Sequence, residues 1–228
     1  MEKAKKSSRK SAKTNTAETM AETIIAAYQE QVLMEGKQPS TVYRFCRDIG
    51  IQESDFYKIA GSFEALEKLI WSGYLERTIA RLEGDNDYAK FSAREKLLAF
   101  YFTLAEELKA NRSFCVLLLG RHPKLEIVPG FLKPFKAKFE EFVGTLLNDG
   151  KSKGEVAERP YLDKRYPQLF WVHLALMLMF WKDDDSAGFE KTDAFIEKSV
   201  NLAFDLIGKG AVDSAIDFGK FLYQSRMN

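Results

Sequence analysis

Histidine and cysteine supply most nucleophiles, general bases and transition-metal ligands, and this chain of 228 residues has only two of each. A metal site on a helix needs a second ligand three or four residues from the first, so that both lie on one face. No acid or cysteine stands at that spacing from His173. We therefore predict no metal site.

The sequence also lacks the short motifs that mark common catalytic sites. No P-loop, G-x-S-x-G, G-x-G-x-x-G or H-E-x-x-H pattern occurs. Among the 33 acids, spacing singles out no carboxylate pair. The triplet Asp183, Asp184 and Asp185 lacks the later Glu and Gly of a calcium loop, so it is predicted to be a solvated helix end. We predict no catalytic residue, no enzyme activity and no cofactor.

Composition and charge describe a folded chain with no segment that spans a membrane. The hydrophobic content of 46% can fill a core, and the net charge of +1 predicts no strong attraction of the whole surface to nucleic acid or membrane. The longest apolar run, 169–181, is interrupted by His173 and is shorter than the roughly 20 residues that cross a bilayer. Cys46 and Cys115 lie in apolar-patterned segments and are predicted to be buried thiols. We expect a cytoplasmic protein.

Apolar residues recur at helical spacing along most of the chain, which predicts an all-α fold of about ten helices and no sheet. The first 15 residues instead carry six Lys or Arg among Ser and Thr, so we predict a disordered basic tail over 1–15. Ser62 and Ser92 are predicted N-caps of long helices. The polar stretch 151–160 is predicted to be a mobile loop and 212–223 the last helix.

Two short helices are predicted on either side of Gly50, over about 39–48 and 52–59. Helices of this length around a glycine-containing turn have the geometry of a helix-turn-helix, whose second helix enters the major groove of DNA. An ordinary pair of short core helices would have the same spacing. A small apolar core would hold the two helices at their angle: Val42, Phe45, Ile49 and Ile51. Gly50 would adopt a turn conformation that a side chain resists.

One set of residues matches a known signature without a gap: Ser40-Thr41-Val42, Phe45-Cys46, Ile49-Gly50-Ile51, Phe56-Tyr57, Ser62, Glu64 and Leu66. In these positions residues 17–71 resemble the N-terminal signature of the tetracycline-repressor (TetR) family, roughly T-T-V-x-x-I-A-x-x-A-G-V-S-x-G-T-L-Y-x-x-F-x-S-K-E-x-L. The resemblance implies a helix-turn-helix DNA-binding domain at 16–61. It implies a helical ligand-binding and dimerisation domain at 62–228.

The resemblance further implies a ligand-responsive transcriptional regulator whose partner is a double-stranded DNA operator. Thr41 and Tyr57 would contact phosphates, and the recognition helix would open at Gln52, where backbone amides could also meet a phosphate. The full set of candidate DNA-binding residues is Thr41, Tyr43, Arg44, Gln52, Glu53, Ser54, Tyr57 and Lys58.

Several positions depart from the signature in a direction that opposes DNA binding. Gln52 replaces the usual small capping Ser, Glu53 stands where Lys or Arg is frequent, and Asp55 replaces a phosphate-contacting Thr. Residues 16–75 hold five bases and nine acids, a net charge of five minus nine, or −4. Because phosphate neutralisation supplies most non-specific affinity, this charge weakens the interface. The basic tail could restore electrostatic attraction to DNA by lying along the DNA backbone or minor groove.

The same departures leave a second function open. A TetR-fold protein that no longer binds DNA could hold a lipid or isoprenoid-like molecule. In that case it would be similar to the lipid-binding TetR-fold proteins of ubiquinone synthesis. The charge on the recognition helix is the feature that discriminates between the two functions.

The apolar segment 169–181 has no polar face, so it must be covered all round. With a helix over 195–207 it could form the four-helix seam of a homodimer that is typical of the resembled family. We expect a small apolar ligand in a cavity of this domain. The candidate lining residues are Phe100, Phe102, Phe114, Trp171, His173 and Met177. Plain core packing by the same side chains is the alternative, with His173 either a polar handle for a ligand or a satisfied core histidine.

Overall fold

Helices account for the regular structure of the described part of the chain, in which no strand is found. The computed structural model describes residues 2–121, 128–159, 161–208 and 210, and their side chains from residue 19 onward. Nine α-helices lie in these residues: α1 (Glu2–Glu35), α2 (Val42–Asp48), α3 (Glu53–Ile59), α4 (Phe63–Glu83), α5 (Ala93–Lys109), α6 (Arg112–Gly120), α7 (Lys133–Ser152), α8 (Tyr166–Asp183) and α9 (Glu190–Ile207). Short 3-10 helices lie at Tyr88–Lys90, Gly130–Leu132, Asp163–Arg165 and Ala187–Phe189. The predicted all-α class is confirmed, while the helix predicted over 212–223 lies outside the described residues.

Helix starts follow the predicted capping residues. The side chain of Ser62 accepts a hydrogen bond from the Ala65 amide at 3.2 Å and begins α4. Ser92 begins α5 with a full capping box, in which its hydroxyl accepts from the Glu95 amide and the Glu95 carboxylate accepts from the Ser92 amide. Such pairs satisfy amides that the first helical turn leaves without partners. Both predicted caps are confirmed.

The N-terminal helix differs from the prediction. We predicted a disordered basic tail over residues 1–15, whereas α1 begins at Glu2 and is continuous through this segment. Ala, Lys and Arg have high helix propensity, and extending a nucleated helix is far less unfavourable than starting one. The core-packed part of α1, which includes the fully buried Ile24, Tyr28 and Val32, supplies that nucleus.

The helices fall into two compact units, and their division differs from the predicted boundary between residues 61 and 62. The first unit consists of Met1–Gly73 and Asn111–Lys133, and the second of Tyr74–Ala110 and Pro134–Asn228. Helix α6 therefore belongs with the N-terminal helices, because its Phe114 ring packs 6.2 Å from the Tyr28 ring of α1. Local sequence patterns carry no information about such long-range contacts.

Aromatic side chains from four helices form the core of the second unit. The Phe100 ring of α5 lies 5.5 Å from the Phe139 ring of α7, which in turn lies 6.3 Å from the Trp171 ring of α8. The Phe170 ring of α8 lies 6.1 Å from the Phe204 ring of α9. These contacts bury the side of α8 that faces its own chain.

The segment predicted as a mobile loop is held by a buried arginine. Arg159 is only 7% exposed. Its guanidinium donates hydrogen bonds to the carbonyl oxygens of Ile207 at 3.1 Å and Gly208 at 2.9 Å, and to the Tyr166 hydroxyl at 3.1 Å. A cation at this position donates hydrogen bonds to the last carbonyl groups of α9 and interacts favourably with the negative end of the helix dipole. The loop prediction is therefore wrong for this part of the segment.

Gly150 permits a close approach near the end of α7. A Cβ atom at this position would lie 2.8 Å from the Ala93 Cβ and 3.0 Å from the Val156 Cγ2. We expect Gly150→Ala to lower the free energy of unfolding by about 1–3 kcal/mol, because both neighbours are short side chains that cannot turn away. Denaturant unfolding of the two proteins measures the effect.

Gly144 in the same helix is the matched control. Its added Cβ would meet only the Pro167 Cγ at 3.8 Å, an ordinary contact. Gly144→Ala is expected to be neutral or to stabilise by up to about 1 kcal/mol through helix propensity. Equal destabilisation by both substitutions would contradict the steric argument.

Candidate functional site

Helices α2 and α3 form the predicted helix-turn-helix. The Thr41 side chain caps α2 by accepting a hydrogen bond from the Arg44 amide at 3.1 Å. Gly50 has a φ of +73°, in the left-handed region that favours glycine. The Ile51 amide then donates to the Cys46 carbonyl at 3.0 Å and closes the turn. Helix α3 starts after Gln52, whose side chain makes no capping hydrogen bond.

Aromatic rings fix the angle between these helices. Phe45 of α2 and Phe56 of α3 are fully buried, with ring centroids 6.0 Å apart. The Phe63 ring of α4 lies 5.6 Å from each of them. The Tyr28 ring of α1 stacks on Phe63 at 5.3 Å. Four helices thus share one aromatic cluster, defined by Tyr28, Phe45, Phe56 and Phe63, which turns the opposite faces of α2 and α3 outward.

The residues predicted to bind DNA lie on those outward faces. Seven of the eight are exposed: Thr41, Tyr43, Arg44, Gln52, Ser54, Tyr57 and Lys58. Glu53, the eighth, is half-buried. The aromatic rings of Tyr43 and Tyr57 are 57% and 53% exposed, a large solvent-facing area for side chains of this type. Their placement suits contact with a phosphate backbone, although the contact itself stays a prediction.

Electrostatics at the start of α3 are unfavourable for an anionic partner. The Lys58 ammonium donates to the Asp55 carboxylate at 2.8 Å, and this hydrogen bond lowers the pKa of Asp55. Burial raises the pKa of the Cys46 thiol, and the negative charges of Glu53 and Asp55 raise it further. Helix α3 therefore carries a net negative charge, and its one base, Lys58, is already paired with Asp55.

A buried carboxylate that the sequence did not single out ties the first unit together. Glu67 of α4 is 6% exposed. Its Oε1 accepts hydrogen bonds from the Tyr28 hydroxyl at 2.7 Å, the Gln38 amide nitrogen at 3.0 Å and the Arg121 guanidinium at 3.2 Å. Burial raises the pKa of Tyr28, and the hydrogen bond to Glu67 adds to this rise. The charge of Glu67 is thus compensated by a base just beyond α6.

The six residues predicted to line a ligand cavity are not brought together. Phe114 belongs to the first unit and packs on Tyr28. Phe100, Trp171 and Met177 are core side chains of the second unit with at most 1% exposure. Phe102 is half-buried in α5. Helical spacing could not separate core from cavity, because both require apolar residues on the same faces.

His173 is the most distinctive of the six. Its Nδ1 lies 2.7 Å from the Tyr101 hydroxyl, and its ring lies 6.3 Å from the ring of Phe195 and stacks with it. Burial lowers the pKa of His173 to about 4, so the imidazole is neutral at pH 7. The Nε2 atom is buried and has no hydrogen-bond partner among the described residues. Buried polar atoms without a partner are rare in native proteins, so this nitrogen is unusual in the core of the second unit.

The described part of the chain contains an open surface groove and no candidate metal centre. No group of three His, Cys, Asp or Glu side chains there could hold a metal ion. An open groove of about 540 Å³ lies on α8 and α9 and is lined by Leu176, Met179, Phe180, Asp183, Asp184, Asp185, Lys191 and Phe195. His122, the second histidine, lies outside the described residues.

Asp184 corrects the prediction of a solvated helix end at residues 183–185. Its side chain is 5% exposed. Burial alone would raise the pKa of this carboxyl, but hydrogen bonds from the amides and hydroxyls of Ser186 and Thr192 outweigh burial and hold the pKa well below its ordinary value. Asp184 therefore anchors the start of α9, and only its neighbours Asp183 and Asp185 are solvated.

Comparison with known proteins decides the family. Residues 96–222, which are 127 of the 228 residues, match the family described as "Tetracyclin repressor-like, C-terminal domain". The chain belongs to the TetR family. The N-terminal resemblance and this C-terminal match fall on different parts of the sequence, so they support the family independently.

Several solved structures are similar to this chain at low sequence identity. A protein of unknown function from Rhodococcus sp. RHA1 is 14% identical with a TM-score of 0.54, over 83% of this chain and 96% of that one. A protein from Shewanella sp. PV-4 classed with the tetR family of transcription regulators is 12% identical with a TM-score of 0.54, over 81% and 95%. The TetR family transcriptional regulator PfmR from Thermus thermophilus is 19% identical with a TM-score of 0.48, over 82% and 99%. Among curated proteins, no relative matches this chain.

No helix in the described ranges is both long and apolar enough to cross a membrane.

Proposed function

We propose that this TetR-family protein is a ligand-responsive transcriptional regulator that binds a double-stranded DNA operator as a homodimer. The observation that carries the proposal is the exposed outer face of α2 and α3, which presents the predicted contact residues while the aromatic cluster fixes the helices behind it. A helix held in this way can enter the major groove with its first residues against base edges. Two copies related by a two-fold axis would read half-sites about 34 Å apart.

The ligand would bind in the second unit and act by shifting populations. We expect a small, predominantly apolar molecule with one polar group that pairs with the unpartnered Nε2 of His173. A ligand that binds better to the form with the recognition helices spread apart would lower DNA affinity by its differential affinity alone. His173 titrates near pH 4, so its charge would not change over the physiological range.

Binding to DNA is tested most directly with the intergenic DNA beside the protein's own gene. Fluorescence anisotropy at low salt, with micromolar protein and a scrambled duplex as competitor, should show saturable binding. Affinity should fall steeply as salt rises, because phosphate contacts release counterions. Absence of binding at micromolar protein and low salt would end the DNA-binding proposal.

A second function is favoured by the charge of the first unit. The pairing of Lys58 with Asp55 and the net charge of −4 over residues 16–75 are poorly suited to DNA. They would suit a TetR-fold protein that carries a lipid or isoprenoid-like molecule and has lost its operator. Mass spectrometry of lipid extracts from the purified protein, together with a negative DNA-binding result, would support this alternative.

The acid on α3 gives a specific prediction for DNA affinity. Asp55→Asn should strengthen binding by about tenfold, because it removes a like charge from the phosphate interface and releases Lys58 to contact DNA. Asn keeps an oxygen that can still accept a hydrogen bond at the start of the helix. Anisotropy titrations at fixed salt measure the change.

Glu64→Gln is the matched control for that substitution. It removes the same charge from the exposed first turn of α4, so it should change affinity by less than about twofold. Similar gains from both variants would show that only net charge matters. No gain from Asp55→Asn in a protein that binds DNA would contradict the role assigned to the Asp55–Lys58 pair.

A further inference from the structure

Glu53, the first residue of α3, differs from the other acids of the helix-turn-helix. Among the described residues, no hydrogen bond or ion pair neutralises its carboxylate. The other acids of α2 and α3 are paired: Asp55 accepts a hydrogen bond from Lys58 at 2.8 Å, and the Asp48 Oδ2 lies 3.9 Å from the Arg44 Nε. The oxygens of Glu53 are therefore free to accept hydrogen bonds from another molecule.

The two acids of α3 lie on opposite flanks of the helix. Successive residues are separated by about 100° around a helix axis, so Glu53 and Asp55 point about 160° apart. Tyr57 follows Glu53 by four positions and shares its flank, whereas Lys58 follows Asp55 by three positions and shares the other. The first residues of a recognition helix are those that contact base edges. Glu53 thus stands at a base-contacting position with its carboxylate unpaired.

The residues on either side of Glu53 bond to one another. The Ser54 hydroxyl donates to the Gln52 Oε1 at 3.4 Å. Glu53 itself is half-buried, whereas both of these neighbours are exposed. Partial burial restricts the conformations of a side chain, so less entropy is lost when it binds. The start of α3 therefore presents one free carboxylate whose position is already restricted.

The chemistry of a carboxylate determines which base it can recognise. An ionised carboxylate only accepts hydrogen bonds, so the base that it faces must donate one. In the major groove cytosine presents the N4 amino donor, whereas guanine presents two acceptors and thymine presents an acceptor and a methyl group. Adenine presents a donor beside the N7 acceptor, a pair that suits an amide better than a carboxylate. A carboxylate therefore favours cytosine.

We infer that Glu53 recognises a cytosine in each half-site of the operator, with its carboxylate accepting a hydrogen bond from the N4 amino group. This inference rests on the DNA binding proposed above and names the base at one position. A negative charge near phosphates lowers the affinity for every sequence. The hydrogen bond to cytosine offsets this loss only at the correct site. Glu53 thus increases the discrimination between the operator and other DNA.

Bases outside α3 can supply the phosphate contacts that such an arrangement needs. Arg47 of α2 is exposed, and its guanidinium carbon lies 5.9 Å from the centre of the Tyr43 ring. Lys37, Ser40 and Arg44 line part of a small polar pocket of about 180 Å³. The first helix of a helix-turn-helix crosses the DNA backbone, and phosphate contacts there set orientation without carrying sequence information. Affinity would then depend on the basic side chains around α2, and specificity on Glu53.

Selection from a pool of duplexes with a randomised core tests the inference with the full-length protein. The selected sites should share one cytosine in each half-site. Replacing this C·G pair with T·A should weaken wild-type binding in anisotropy titrations by about tenfold. Glu53→Gln should instead select adenine at the same position, because glutamine pairs with the N6 and N7 of adenine. Glu53→Ala should accept all four bases there.

Asp55→Asn is the matched control, because it removes the same charge from the same helix. It should raise the affinity for all duplexes while the preference for cytosine is kept. An acid in the first turn can also stabilise a helix through its dipole. If Glu53 has only this role, Glu53→Gln will lower the denaturation midpoint and select the same sites as the wild type, a result that would overturn the inference.

One further outcome separates this inference from the function on which it rests. A folded wild-type protein that enriches no duplex from the pool would overturn the DNA-binding proposal and the cytosine contact together. A wild-type protein that selects a defined site, but one in which no position responds to substitution of Glu53, would overturn the cytosine contact alone. Circular dichroism confirms that each variant is folded before it is used.

Discussion

Replacing Phe45 with Ala is expected to lower the free energy of unfolding by about 3–5 kcal/mol, the usual effect of truncating a buried aromatic residue. The Phe45 side chain is fully buried, and its ring contacts Tyr28, Phe56 and Phe63 at 6.2, 6.0 and 5.6 Å. The substitution removes the ring on which α1, α3 and α4 converge. Because native stabilities are about 5–15 kcal/mol, the loss would remove a large share of the stability of the protein. Thermal and denaturant unfolding measure the effect.

Tyr43 in the same helix provides the control. Its ring is 57% exposed, so Tyr43→Ala should change stability by less than about 0.5 kcal/mol. If the protein binds DNA, Tyr43→Ala should weaken binding without loss of stability, whereas Phe45→Ala should lower the stability of the fold that presents the contact residues. A Phe45→Ala protein with wild-type stability would contradict the assignment of this cluster as the core of the first unit.

Replacing Asp184 with Ala is expected to lower the free energy of unfolding by about 3 kcal/mol. The carboxylate accepts from the Ser186 amide at 2.9 Å and hydroxyl at 2.6 Å, and from the Thr192 amide at 2.9 Å and hydroxyl at 2.6 Å. Thr192 is fully buried, so its donors would be left without water or protein partners. Asp185→Ala, which removes a carboxylate that is 87% exposed, should cost less than about 0.5 kcal/mol.

The contribution of Asp184 should depend on pH in a definite direction. Its pKa is lower in the folded protein than the ordinary value of about 3.9 that applies in the unfolded chain. Its stabilising effect is therefore fully present above about pH 5 and declines as the pH falls through 4 toward the folded pKa. Denaturant unfolding from pH 7 to pH 3 should show the wild type losing its advantage over Asp184→Ala. An advantage that grows on acidification would contradict this assignment.

Sequence patterns predicted the local parts of the fold well. The apolar spacing gave α2 and α3 nearly their observed bounds, Gly50 adopts the positive φ expected of its turn, and Ser62 and Ser92 cap the helices predicted for them. Each of these features depends on residues within about one helical turn of one another. Local chemistry therefore decides them.

Features that depend on distant residues could not be predicted. Phe114 was assigned to a ligand cavity because its helix is apolar, yet its partner is Tyr28, 86 positions earlier. Arg159 was predicted to lie in a mobile polar loop. Its partners could not be seen from the local sequence, because the carbonyl groups that it binds belong to the end of α9. Asp184 was predicted to be solvated because its neighbours are acids. Its hydrogen-bond donors include Thr192 of α9, which lies eight positions later in the sequence.

The sequence placed the candidate DNA-binding residues on an exposed surface, but it did not predict that charged side chains at this surface pair with one another. All eight predicted residues lie at least partly exposed on or next to α2 and α3. The acids were recognised as unfavourable from the charge count alone. That Lys58 is bound to Asp55 required coordinates, because an i, i+3 pair on a helix can equally point to solvent.

The discontinuous first unit has a consequence for the way the chain is made. Its two segments end at Gly73 and Lys133, so about 60 residues must leave the ribosome between them. At about 5–20 residues per second, translation of that stretch takes roughly 3–12 s. During this time Glu67 has Tyr28 and Gln38 available but not Arg121. Nascent N-terminal helices would then expose the surface that later receives α6, and chaperones that bind apolar segments would find them in this interval.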